Sequence, residues 1–173
     1  MDRNFTIDPG LPEPTAQPLQ PLDPLIRRVW MLQAGLFWLV VLIAALVYDL
    51  VRLLGGEGTL PPGLVTGGIL ITGLLSSVLI PRLRYRFWRY MLTSEELYLE
   101  RGVLNRVRTI VPLRRIQHLD VSQNLLEREF GLGKLIVHTA GSRSGDVVLP
   151  GLRNEDAERL RDHVKRYILE DTE

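Results

Sequence analysis

Between Arg82 and Arg115 the chain carries nine arginines against only Glu95, Glu96 and Glu100. The first four, Arg82, Arg84, Arg86 and Arg89, directly follow an apolar run. The chemistry they offer is attraction to anionic headgroups, worth about 1 kcal/mol per cation near a charged leaflet. Their plainer role is to fix membrane topology. The other chemistry-bearing residues are dispersed. His118, His138 and His163 are the only histidines, and their sequence spacing is not that of a metal site, so no metal ligand is expected. Ser142 and Ser144 lie in a glycine-rich stretch without a nucleophile elbow. Gly131-Leu132-Gly133-Lys134 lacks the upstream glycine and following hydroxyl of a phosphate loop and reads as a turn. The one close acidic pair, Glu95 and Glu96, falls at a hairpin turn and does not support acid–base catalysis. With no cysteine, thiolate metal sites and disulfides are excluded. No catalytic residue and no cofactor are expected.

The elements that hold the arginines follow from hydropathy. Residues 1–26 contain Pro9, Pro12, Pro14, Pro18, Pro21 and Pro24 with scattered acids, a composition that predicts a disordered, proline-rich tail. Residues 27–81 predict a transmembrane hairpin. Val29 to Leu50 is apolar all round except for Gln33 and Asp49, long enough to span the roughly 30 Å hydrocarbon core, with Trp30 and Tyr48 suited to the two interfaces. Turn formers from Gly55 to Pro62 reverse the chain, and Leu64 to Ile80 is apolar again. Gly63, Gly67, Gly73 and Ser77 place small groups one turn apart in pairs, a strip for close helix packing within the hairpin or between copies. Arg27 and Arg28 precede the first span and Arg82, Arg84, Arg86 and Arg89 follow the second, which predicts cytoplasmic termini in a multi-pass protein of the cell membrane.

Residues 82–173 predict one cytoplasmic domain. Short β-type runs at 88–92, 97–101, 107–111, 118–122, 134–139 and 146–149 alternate with turn residues, and Leu125 to Phe130 suits one helical turn. The final element is an amphipathic helix. Acids follow Asn154, bases precede its end, and Ala157, Leu160, Val164 and Ile168 form one apolar stripe that must cover the sheet.

Several of these segments carry a resemblance: Leu92-Thr93, Tyr98 to Leu104, Val111 to Leu113 with Arg115-Ile116-Gln117, Asp120-Val121, Gln123 to Leu126, Phe130 to Gly133 and Thr139 to Gly141. The stretch from Leu92 to Leu160 resembles the bacterial pleckstrin-homology-like, membrane-flanked domain proteins of the YdbS-like type. The resemblance implies a two-sheet, seven-stranded pleckstrin-homology (PH)-like sandwich closed by the C-terminal helix, and it implies no enzyme. Eukaryotic relatives of this fold hold inositol phosphates on a basic first hairpin loop. Here that loop reads as Thr93-Ser94-Glu95-Glu96, which is acidic and argues against that mode.

The expected architecture is therefore a two-helix membrane hairpin plus a mainly β, PH-like sandwich with a C-terminal capping helix. The first functional reading is a non-enzymatic, membrane-anchored scaffold. It would bind another membrane protein, such as a larger protein with repeats of the same domain, or another copy of itself. The second is an anionic-lipid sensor using Arg82, Arg84, Arg86 and Arg89, with Arg106 and Arg108 contributing less if those strand residues face elsewhere. The third is an accessory subunit of a transporter or membrane enzyme. Nucleic acid is not an expected partner, since no basic helix or strand aromatics accompany the charge.

Overall fold

The computed structural model describes residues 18–55, 61, 63–139 and 146–170. The tail before Pro18, the loop glycines Gly56 and Gly58, and Ser142 with Ser144 lie outside the described residues. A two-residue strand β1 (Gln20–Pro21) comes first, then helix α1 (Leu25–Gly55) and helix α2 (Leu64–Arg86). Strands β2 (Arg89–Leu92), β3 (Glu96–Arg101) and β4 (Val107–Pro112) follow, then a 3₁₀ turn at Leu113–Arg115 and strand β5 (Ile116–Ser122). A short helix α3 (Leu125–Glu129), strands β6 (Leu132–Thr139) and β7 (Val147–Arg153), and helix α4 (Asn154–Glu170) complete the described chain.

The strands form two antiparallel sheets, β1-β2-β3-β4 and β5-β6-β7. Period-two burial explains the sandwich. Leu97 and Leu99 on β3 and Leu135 and Val137 on β6 are buried, while the residues between them are less so, and both sets join one core. Ala157 and Val164 present the buried stripe of α4 to the second sheet, and Leu160 packs beside them. Helix α3 is fixed by a capping box, in which Asn124 Oδ1 accepts from the Glu127 N–H and Glu127 Oε2 accepts from the Asn124 N–H.

The first sheet reaches back across the hairpin. Gln20 pairs with Tyr90 and Pro21 with Arg89, Leu22 is fully buried, and the Tyr85 hydroxyl donates to the Leu22 carbonyl at 3.1 Å. The end of the proline-rich segment is thus an ordered strap, and the expectation of disorder through residue 26 is corrected for residues 18–26. Two residues of strand among prolines leave no periodic signal. A boundary at residue 82 is corrected as well. The first strand precedes the helices, so the whole hairpin is the connection between β1 and β2. The acidic Thr93 to Glu96 turn joins β2 to β3 and is not the first connection of the sheet.

Helix α1 has 31 residues, about 46 Å at about 1.5 Å per residue, longer than a bilayer's hydrocarbon needs. Its surplus is spent inside the domain, where Ile26, Val29 and Trp30 are buried in the sandwich core together with Trp88, Leu97 and Leu152. Both helices are long and apolar enough to cross a membrane, and most of their large side chains face outward.

Candidate functional site

Three pins hold the hairpin. At the far end, Asp49 Oδ2 on α1 accepts from the Thr66 hydroxyl at 2.7 Å and from its N–H at 3.3 Å, so α1 satisfies a free amide in the first turn of α2. Midway, a Cβ on Gly73 would lie 3.2 Å from Trp38. Near the domain, the Arg84 guanidinium stacks 4.3 Å above the Trp30 ring. The strip of small residues therefore divides. Gly73 lies against α1 and Ser77 is half-buried, lining the same groove between the helices. Gly63 precedes α2 in a left-handed conformation, and neither it nor Gly67 would bring a Cβ within 4 Å of a neighbour.

The domain is clamped to the start of α1. Asp23 Oδ1 accepts from the Leu25 N–H at 2.8 Å, and Asp23 Oδ2 accepts from Arg153 Nε at 3.0 Å. The Asp23 N–H donates to the Gly151 carbonyl at 3.0 Å. The carboxylate bond holds the Arg153 guanidinium protonated even above its usual range. On β2, burial and then the Asp156 charge push the Tyr90 phenol up, so it stays neutral.

Register decides what faces the helix ends. Strand β2 begins just after α2 and runs away from it, and β3 returns with Glu100 opposite Arg89. The turn from Arg101 to Arg106 therefore projects past the start of β2, beside the last turn of α2, and Arg101 comes within electrostatic range of Arg84. Gly102 turns the chain there at φ 112. Leu104 is fully exposed at the tip, and Val103 and Val107 are more than one-third exposed beside it. Arg101 and Arg106 flank this apolar point. Leu125 stands similarly exposed on α3, which packs beside α1.

The four arginines singled out by sequence are not equivalent. Arg82 and Arg86 are exposed on α2, Arg84 lies on Trp30, and Arg89 Nη1 donates to the Trp88 carbonyl at 2.7 Å. Arg108 lies 3.7 Å from Glu100 on the neighbouring strand. Arg106 precedes β4, and the hairpin carries it to the tip. The signal was in the sequence as Arg-Gly-Val-Leu-Asn-Arg, two apolar residues in a turn between cations, although only the register shows where the turn points.

Two histidines expected to stand apart meet on the second sheet. His118 on β5 is opposite His138 on β6, their rings stack at 4.1 Å, and His138 bridges Asp120 and Asp146. Sequence spacing hides this group because two paired strands and the residue just before a third supply it. His163 lies on α4, outside the cluster.

A family model described as Bacterial PH domain matches residues 30–168. The transmembrane protein YdbS of Bacillus subtilis (strain 168) is 31% identical over 156 residues, covering 87% of this chain and 92% of that protein. The transmembrane protein YdbT of the same organism is 28% identical over 103 residues, which are 59% of this chain and 20% of that longer protein. No solved structure gives a significant match.

Proposed function

Because the chain belongs to the bacterial PH domain family, a membrane-associated PH-like module, we propose that it is a non-enzymatic interaction module anchored in the cytoplasmic membrane. The hairpin crosses the bilayer twice, both termini are cytoplasmic, and the domain lies against the inner leaflet. It presents a strand edge to a second membrane protein or to another copy. The observation that carries this reading is β4. Among the described residues this six-residue strand pairs only with β3, leaving one edge open, and Ile110 on it is 55% exposed. Open edges recruit partner strands unless they are covered. A photo-cross-linking side chain at Ile110 in native membranes is expected to give a discrete adduct with a membrane protein or a second copy. The same group at Asp162, an exposed site on α4, should not. Adducts with lipid alone at both positions would overturn the reading.

A second reading, contact with anionic lipid, is favoured by the β3–β4 tip. One fully exposed leucine between arginines suits an interface where acyl chains meet charged headgroups. For the full chain in nanodiscs, a nitroxide at Leu104→Cys should be shielded from an aqueous relaxation agent when anionic lipid is present. Replacing both Arg101 and Arg106 by glutamine should remove most of that shielding. Equal exposure at Leu104 and Asp162, regardless of lipid charge, would contradict it.

A further inference from the structure

We propose that His118, Asp120 and His138 form a binding site for one divalent transition-metal ion, with Asp146 orienting His138 from outside the coordination sphere. Strand pairing builds the group. His118 and His138 are cross-strand partners, Asp120 follows two positions after His118 and so shares its face of β5, and Asp146 immediately precedes β7 on the other side of β6. One ligand atom from each of His118, Asp120 and His138 lies within 4.8 Å of the others. Bonds of about 2.0 Å in a tetrahedral site separate ligand atoms by about 3.3 Å, so modest side-chain rotations close the gap. The pair His138 Nε2 and Asp120 Oδ2, at 3.2 Å, already has that separation.

Proton placement points the same way. His138 Nδ1 lies 2.5 Å from Asp146 Oδ1, and an ionised carboxylate only accepts, so Nδ1 carries the proton. In a neutral ring, Nε2 then turns its lone pair toward Asp120. A cation could then be shared by His138 Nε2 and Asp120 Oδ2, which lie 3.2 Å apart, and His118 offers a third ligand atom within 4.8 Å of both. A carboxylate holding the remote N–H of a ligating imidazole is the usual outer support of a histidine–metal bond. Two imidazoles with one carboxylate suit zinc, nickel or copper rather than magnesium or calcium. Such a site keeps an open position toward solvent, since His118 and Asp120 are exposed.

The test is calorimetric titration of zinc into the full-length protein in detergent, purified without a histidine tag, with cobalt absorption reporting the ligand set. One equivalent is expected. His118→Ala and His138→Ala should each weaken binding at least about tenfold, and Asp146→Asn about 10- to 100-fold, as losses of outer-shell partners do. His163→Ala should leave it unchanged, and all four variants should melt like the parent chain when metal is absent. Absence of zinc binding would overturn the proposal. Binding that persists in the His118→Ala/His138→Ala double variant would overturn it too, as would a cobalt spectrum without nitrogen ligation.

Discussion

A fragment beginning at Arg82 is expected to lack a cooperative unfolding transition, although it contains every strand from β2 onward. It would lose Leu22, Ile26, Val29 and Trp30, all buried in the sandwich core. Each such side chain contributes about 1.5–3 kcal/mol on burial, about 6–12 kcal/mol in all. That loss rivals the entire stability of a small domain, about 5–15 kcal/mol. The fragment should therefore bind hydrophobic dye and melt without a sharp midpoint. Joining residues 18–33 to residue 84 through a flexible glycine–serine linker should restore a cooperative melt, because Trp30 and Arg84 are in contact and the linker need span little distance. A fragment from Arg82 that melts as sharply as the linked version would contradict the shared core.

Gly151→Ala is expected to lower the melting temperature more than Gly131→Ala, and the difference isolates the clamp. Both glycines have positive φ, at 66 and 64, so either alanine carries the left-handed penalty of about 1–2 kcal/mol. Only Gly151 also faces α1, where an added Cβ would lie 2.8 Å from Ile26 Cβ, whereas nothing stands within 4 Å at Gly131. Ile26 Cβ is tied to the helix backbone and cannot swing aside, and overpacking of this kind costs about 1–3 kcal/mol more. At roughly 4–8 °C per kcal/mol for a domain of this size, Gly151→Ala should lower the midpoint by about 10 °C or more. Calorimetry in one detergent checks it. Equal shifts for the two variants would show that Ile26 yields freely.

The strands after α2 and the final helix are legible in the sequence because each has a regular period. Leu97 and Leu99 alternate with polar neighbours, and Ala157, Leu160 and Val164 recur at helical spacing. The first turns of α1 are misleading for a physical reason. Ile26, Val29 and Trp30 run straight into membrane-type sequence, and apolar residues bound for a protein core look the same as those bound for lipid. Trp30 reads as an interfacial anchor and is instead core, with Arg84 stacked on it. Strand β1 is invisible because its pairing with β2 spans the whole hairpin. The tip at Leu104 and the His118–His138 pair depend on register, which sequence alone leaves open when turns are several residues long.

The clamp also gives the arginines their setting. Since α1 is part of the core, the domain cannot swing away from the helix ends without exposing Trp30 and Ile26, so Arg82, Arg86 and the β3–β4 tip are held together at one level.

The location of the domain is tested most directly by labelling single cysteines with a membrane-impermeant maleimide, for which the cysteine-free parent chain is already the background. In intact cells with permeable outer layers, Leu54→Cys, exposed at the far end of α1, should label at once. Asp162→Cys, exposed on α4, should stay unmodified until detergent is added. Labelling of Asp162→Cys as fast as Leu54→Cys before detergent would contradict a cytoplasmic domain.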